Sequence, residues 1–282
     1  MDHAIALLDG RFVSESEARI PLYSRIVRYG DGLYETMRYT SSRIPFLPAH
    51  LARLQCGMEL LGLENSLPDP DTLDERLKQL AVRNNVREGI IRLVVYRDSD
   101  GKYLPDSDHA GWFAGVEPLD FPGFPLNGKG LTLGLFARQP VMEGPLAPFK
   151  TANALPYILA ARHAHKAGWD DALLLNVHGR IAEATASNVF FVREKQLITP
   201  SLEESCMAGI MRNHILLLAE EMGIPCRETS VAVTDLGKAD EIFLTNAVAG
   251  IRWVARFGNK DFTHKMTRQF SRLLNKFFDN ES

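Results

Sequence analysis

The chain has 282 residues, 45% hydrophobic and 24% charged, a profile that fits a globular protein with room for about two domains. A formal charge of −3 leaves no basic footprint for nucleic acid, and no apolar run approaches the ~20 residues that span a bilayer. "MDHAIALLDGRFV" lacks the basic and apolar blocks of a secretory signal, and Cys56, Cys206 and Cys226 lack CxxC spacing, so the expectation is reduced thiols in a cytoplasm.

"AIALLDGRFV" predicts two short strands turning at Asp9-Gly10. "YGDGLYETMRYTSSRIPFL" continues with strand-like alternation around a glycine turn. "PAHLARLQCGMELLGL" predicts a helix with proline in its first turn and Gly62 near its end; Leu51, Leu54, Met58 and Leu61 share a face. A second helix, Pro70–Asn84, precedes "GIIRLVVYRD", whose β-branched run suits a buried strand. Glu117–Gly130, dense in proline and glycine, reads as a linker. The expected division is therefore a smaller domain over 1–116, a linker over 117–130 and a larger domain over 131–282.

Beyond the linker, "LTLGLFARQ" predicts a strand. A helix beginning near Asn153 follows, with Pro156 in its first turn and Ala167-Gly168 at its close. "DDALLLNVHGRIAEATASNVFFVREKQLITP" predicts three or four strands with turns at His178-Gly179 and Glu194-Lys195. "AGIMRNHILLLAEEMGIP" reads as a helix stopping at Gly223, "EIFLTNAVAGI" as a strand running into a glycine turn, and the last twenty or so residues as helix. Strands and helices mix without strict βαβ alternation, so the expected class is α+β in two domains.

Several motifs fail on mechanism. "GFPLNGKG" nearly spells a phosphate-binding P-loop, but Gly130 replaces the Ser/Thr that holds magnesium, and a strand follows where a helix is needed. "DSDG" at Asp98–Gly101 lacks the further oxygen ligands of a calcium loop. His163 and His165, two apart on a helix, face different ways and make a poor metal pair. GxSxG and HExxH are absent. No metal is expected.

Lys150, in "PFKTANALPYILAA", stands between a proline-punctuated loop and an apolar helix. Such a lysine either snorkels, with its stem on apolar surface and its ammonium in water, or is desolvated to supply a free amine for Schiff-base chemistry. The second reading needs company. A lysine-bound pyridoxal phosphate requires an anionic partner for its ring nitrogen and a pocket for a dianion. Glu183 in "GRIAEATASN" is a lone carboxylate among apolar and small residues, as an outward-facing strand glutamate would also be. "AGIMR" sets the N–H groups of Gly209, Ile210 and Met211 at a helix N-terminus, which favours an anion, and "LTNA" ends a strand beside a turn. Ordinary capping accounts for either.

In order and spacing, "RYGDGLYETMR", "HLARL", "FKTANALPYILAA", "DDALLLNVHGRIAEATASNVFFV", "GIMR" and "LTNAVAGI" make the chain resemble the fold-type IV pyridoxal-phosphate enzymes, from about Leu8 to about Val254. These are branched-chain aminotransferases, D-amino acid aminotransferases and 4-amino-4-deoxychorismate lyases. The resemblance implies the two-domain D-amino acid aminotransferase-like fold, with cofactor between the domains and a homodimer whose partner helps close the site. It makes Lys150 the Schiff-base lysine and acid/base, and Glu183 the partner of the pyridine nitrogen. Arg53 would bind the phosphate with Ile210, Met211, Thr245 and Asn246, and Tyr34 would line the substrate side.

Within the family, "YETMR" and "TNAVAGI" look most like the lyases. Branched-chain aminotransferases usually carry a tyrosine where this chain has Leu155, and D-amino acid aminotransferases share the non-aromatic residue. Lys102, in "DSDGKY", is a candidate for a substrate carboxylate or an exposed turn lysine. The expected reaction is release of pyruvate from aminodeoxychorismate to leave 4-aminobenzoate. The alternatives are transamination of branched-chain or D-amino acids and, more distantly, a non-catalytic cofactor-binding protein.

Overall fold

A computed structural model describes residues 4–280, and the chain divides into two compact units. The first comprises residues 1–122 and the segment Phe149–Asn153; the second comprises 123–148 and 154–282. Strands β1 (Ile5–Leu8), β2 (Arg11–Ser14), β3 (Gly32–Tyr39), β4 (Gly89–Arg97) and β5 (Ala110–Pro118) form an antiparallel sheet in the order β2-β1-β5-β4-β3. Asp9 and Gly10 both have positive φ, the geometry that a two-residue hairpin needs to match strand twist. The sequence gives no signal for the short helix α1 (Arg25–Tyr29), whose single turn is too brief for a periodicity to register.

Helices α2 (Leu47–Leu61) and α3 (Pro70–Arg83) cover one face of this sheet. Pro48 and Pro70 stand in first turns, where no intrahelical N–H is lost, and the Asp69 side chain caps α3 by accepting from the Thr72 N–H at 3.0 Å. Leu33, Met37, Ile91, Leu93 and Trp112 bury against Leu54, Met58, Leu73 and Leu77. By strand alternation Tyr34, Arg92 and Phe113 project from the other face.

The second unit holds β6 (Leu131–Phe136), β7 (Asp171–Leu175), β8 (Ile181–Ala184), β9 (Asn188–Arg193), β10 (Gln196–Pro200), β11 (Cys226–Thr229), β12 (Glu241–Asn246), β13 (Gly250–Phe257) and β14 (Lys260–Asp261). Their order is β11-β10-β9-β12-β13-β6-β7-β8, with β14 on β13; the pairs β10–β11, β13–β6 and β6–β7 are parallel. Helix α4 (Leu155–Ala167) buries Ala160 and Ala164 against Phe136, Ala172 and Leu174. Helices α5 (Ile210–Glu221) and α6 (Lys265–Asn280) complete the unit, and Phe190 stacks on Phe243 with centroids 5.0 Å apart.

Two expectations need correction. The linker is shorter than 117–130, because β5 runs to Pro118 and Phe124 is already core, bonded both ways to the Asn275 amide. Residues 149–153 belong to the first unit, although the sequence assigned them to the second. Their backbone extends the edge of β3: the Tyr34 N–H donates to the Lys150 carbonyl at 2.8 Å, and the Ala152 N–H to the Gly32 carbonyl at 3.0 Å.

Packing at Gly134 supplies a test of the second unit. A Cβ there would fall 1.6 Å from the Trp169 ring, whereas one at Gly115 meets nothing within 4 Å. Gly134→Ala is expected to cost about 1–3 kcal/mol or more through overpacking, and Gly115→Ala less than about 0.5 kcal/mol. Urea midpoints at unchanged slope will measure both.

Candidate active site

The added edge segment determines where Lys150 points. Side chains alternate along an extended strand, so Phe149 turns into the helix-covered core beside Gly57, and Lys150 turns to the opposite face. Its Nζ lies 5.3 Å from the centroid of the Tyr34 ring, and the Arg92 guanidinium lies 5.6 Å from the same ring. Both distances are within cation–π reach. Tyr34 is thus placed beside Lys150.

Arg53 is expected to meet phosphate; the structure shows what holds it. It is buried on α2 and donates through Nε to Glu35 Oε1 at 2.8 Å and through Nη2 to Oε2 at 2.5 Å. His50 Nδ1 donates to the same Oε2 at 2.7 Å. Burial pushes the Glu35 carboxyl up, but the bonds from His50 and Arg53 outweigh it and hold it below the usual range. For His50, burial prevails over Glu35 and moves the imidazole down, assisted by the charges of Arg53 and Lys150. Lys102 is exposed on a turn whose backbone is tied to Arg25, which donates to the Lys102 and Tyr103 carbonyls while pairing with Asp31 at 2.8 Å. Its ammonium is not joined to the Lys150 group by any described contact.

In the second unit Glu183 is 3% exposed, so the outward-facing alternative fails. The Tyr157 hydroxyl donates to its Oε1 at 2.7 Å and the Met207 N–H to its Oε2 at 3.1 Å. Met207 begins a chain of contacts leading to α5. Asn188 donates to the Met207 carbonyl at 2.8 Å, and its Oδ1 lies so near Gly209 that a Cβ there would stand 1.9 Å away. Gly209 caps α5 without a side chain, so the N–H groups of Ile210 and Met211 open a helix whose first donors lack intrahelical acceptors.

Thr245, opposite Asn188 in the sheet, is 1% exposed, and its hydroxyl has no partner among the described residues. Asn246 departs from expectation. Its amide donates to Ala186 O and Ser187 Oγ, while its oxygen accepts from the Val248 and Ala249 N–H groups. Both donors are spent, so this side chain shapes the turn and has none to spare for an anion. The structure therefore links Glu183, Gly209, Ile210, Met211, Thr245 and Asn246 within one unit, and Lys150, Tyr34 and Arg53 within the other. Sequence reasoning missed Tyr157, Asn188, Glu35 and His50. The available signals were a glutamate in a slot alternating with Leu33 and Met37, and a His-x-x-Arg spacing that sets both side chains on one face of α2.

The family model for amino-transferase class IV matches residues 32–257. The chain belongs to the class IV aminotransferases. A Methanocaldococcus jannaschii protein, provisionally named a branched-chain-amino-acid aminotransferase, is 32% identical over 96% of this chain and 94% of its own. An aminodeoxychorismate lyase of Vibrio harveyi is 26% identical over 92% of this chain and 97% of its own. The crystal structure of a Thermobaculum terrenum branched-chain amino acid aminotransferase in its PLP form superposes with TM-score 0.84 at 25% identity, covering 98% of this chain and 94% of that one. The α+β fold expected from sequence is that of the family, and the protein is a pyridoxal-phosphate-dependent enzyme.

The buried His50–Glu35–Arg53 group makes stability depend on acid. Both His50 and Glu35 lie below their ordinary values of 6.5 and 4.5, so the unfolded chain binds more protons as pH falls through each. Their contribution is complete above about pH 6.5 and is lost on acidification, first through His50 and then through Glu35. Urea unfolding between about pH 8 and about pH 4 will measure this, and His50→Gln is expected to flatten the upper part of the acid limb.

Proposed function

We propose that the enzyme is a transaminase of amino acids with apolar, branched side chains. The observation that carries this reading is the 32% identity with the M. jannaschii relative, spread over nearly the whole of both chains. The residues present fit pyridoxal phosphate. Glu183 is a buried carboxylate held in place at both oxygens, an anion placed as a protonated ring nitrogen requires. The uncapped start of α5 and the unpartnered Thr245 hydroxyl suit a phosphate dianion. When bound, the cofactor supplies a carbonyl that amines condense with and a ring that takes up electrons from the substrate carbon.

The chain's own residues do the rest. Lys150 would hold the cofactor through Nζ, and its free amine would serve as the base and acid that moves the proton at the substrate carbon bearing nitrogen. Glu183 would keep the ring nitrogen protonated; Tyr157 and Met207 fix its carboxylate so that neither oxygen swings away. Arg53, the Ile210 and Met211 N–H groups and Thr245 would bind phosphate, Tyr34 would line the substrate side, and Lys102, exposed on its turn, would meet a substrate carboxylate; Asn246 shapes the turn that carries Thr245. Leu22, Tyr23, Tyr103 and Leu104 expose a large apolar area, which supports a homodimer.

The aminodeoxychorismate lyase expected from sequence is the second reading. It is favoured by Leu155, which puts an exposed alkyl group where branched-chain aminotransferases place a phenol; the phenol of Tyr157 is committed to Glu183. Stoichiometry separates the two. Transamination with leucine stops near one turnover per site without a 2-oxo acid and continues with 2-oxoglutarate. Multiple turnovers of aminodeoxychorismate to pyruvate and 4-aminobenzoate without an oxo acid would instead establish the lyase.

Two measurements test the residue roles in either reaction. Borohydride reduction of the yellow holoenzyme is expected to leave the cofactor on Lys150 in a tryptic map, and an adduct on another lysine refutes that role. Glu183→Gln keeps shape but loses charge. If the lost buried partner costs about 3–5 kcal/mol, single-turnover proton removal slows by roughly a hundredfold to a thousandfold or more while cofactor remains bound.

A further inference from the structure

Position 35 is a core slot. It alternates with Leu33 and Met37 on the sheet face that α2 and α3 cover, and it is 1% exposed. A carboxylate there is expensive to desolvate, and apolar residues of similar volume often serve stability as well or better in such places. What the carboxylate does supply is geometry. Its two oxygens take Nε and Nη2 of Arg53 side-on, which fixes the plane and rotation of the guanidinium. His50 then donates to the oxygen that Nη2 also uses, so the carboxylate cannot turn without breaking three bonds.

The protonation of His50 follows from its contacts. Nδ1 faces Glu35, while Nε2 is buried without a partner among the described residues. A charged imidazole would bury an N–H with no acceptor, whereas a neutral one buries only a lone pair. Burial lowering the His50 pKa agrees with this. The facing charged groups are Glu35, Arg53 and, acting through space, Lys150.

We propose that Glu35 and His50 are positioning residues that orient Arg53, and through it the cofactor phosphate. The inference rests on the reading that Arg53 meets the phosphate. Glu35 cancels the charge of Arg53, so orientation rather than net charge is what this group adds to binding. Tightness should then depend on where the guanidinium is held, even when the charges stay the same.

Cofactor affinity, measured by stripping the holoenzyme and titrating pyridoxal phosphate back, and the phosphorus NMR resonance of the bound phosphate test this without using turnover. Glu35→Asp keeps the charge but withdraws the carboxylate by one methylene. It is expected to weaken the cofactor by roughly tenfold, the scale of one charge-assisted hydrogen bond, and to shift or broaden the resonance. His50→Leu should do the same, and His50→Gln, whose amide can still donate to Glu35, should restore both. If Glu35→Asp and His50→Leu lower only the melting temperature of the apoprotein, leaving affinity and resonance as in the parent, their role is purely structural and the proposal fails. Arg53→Ala separates the two layers. Weakened binding and an altered resonance there, with no effect at Glu35 or His50, leave the phosphate reading standing and overturn positioning; an unchanged Arg53→Ala overturns both. Should Glu35→Asp fail to fold, the His50→Leu and His50→Gln pair decides.

Discussion

A carboxylate taken out of water must be bonded at both oxygens or take up a proton, and that constraint organises the chemistry-bearing parts of this chain. Glu35 meets it with Arg53 and His50, Glu183 with Tyr157 and Met207, and Glu241 with the Met266 and Thr267 N–H groups and the Thr267 hydroxyl. The outcomes differ with the donors. Glu241 uses the first donors of α6 and acts as a helix anchor. Glu35 takes a cation and becomes a mount for it. Glu183 takes the Tyr157 phenol at one oxygen and the Met207 N–H at the other, which fixes the plane of its carboxylate.

The other organising feature is the docking of Phe149–Asn153 on β3. Strand alternation then settles two issues together: Phe149 is driven into the core beside Gly57, and Lys150 must face Tyr34 and Arg92. A lysine in a mobile loop would have to lose conformational freedom each time it met its partner. Here the backbone bonds at Tyr34 and Ala152 have already ordered the segment that carries it, so less entropy remains to be lost. Packing of an apolar neighbour thus aims the Lys150 amine.

Much of the fold was legible because its signals are local. Asp9-Gly10 and Glu194-Lys195 adopt the positive φ of tight hairpins, Asp69 caps α3, and prolines sit in first turns where they cost least. Lys150 and Glu183 stood out as charges out of keeping with their surroundings. Non-local partners left no such trace. Tyr157 reaches Glu183 across 26 positions, and nothing near Tyr157 in the chain announces a carboxylate. The segment 149–153 abuts α4 in sequence but pairs with a strand more than a hundred residues earlier, so contiguity assigned it to the wrong unit. Asn246 was read as a ligand because an amide beside a turn can serve either the turn or a guest, and only the bond count separates them.

Reaction type was less legible than cofactor for a physical reason. With the roles proposed for Lys150 and Glu183, transamination and pyruvate release would share the proton transfer and the electron sink, so the residues that suit the cofactor are indifferent to the outcome. What separates the paths is how the substrate is held while the proton returns, and to which atom. Side chains proposed to do this, such as Leu155 and Lys102, are of ordinary types, and their positions alone carry meaning. Arg53 illustrates the same point within the site: its charge is visible in the sequence, but Glu35 has neutralised it, and what remains is a direction in space. Specificity built from direction is written in contacts made across the fold, which is why the triad at His50, Glu35 and Arg53 had to be seen folded before it could be read.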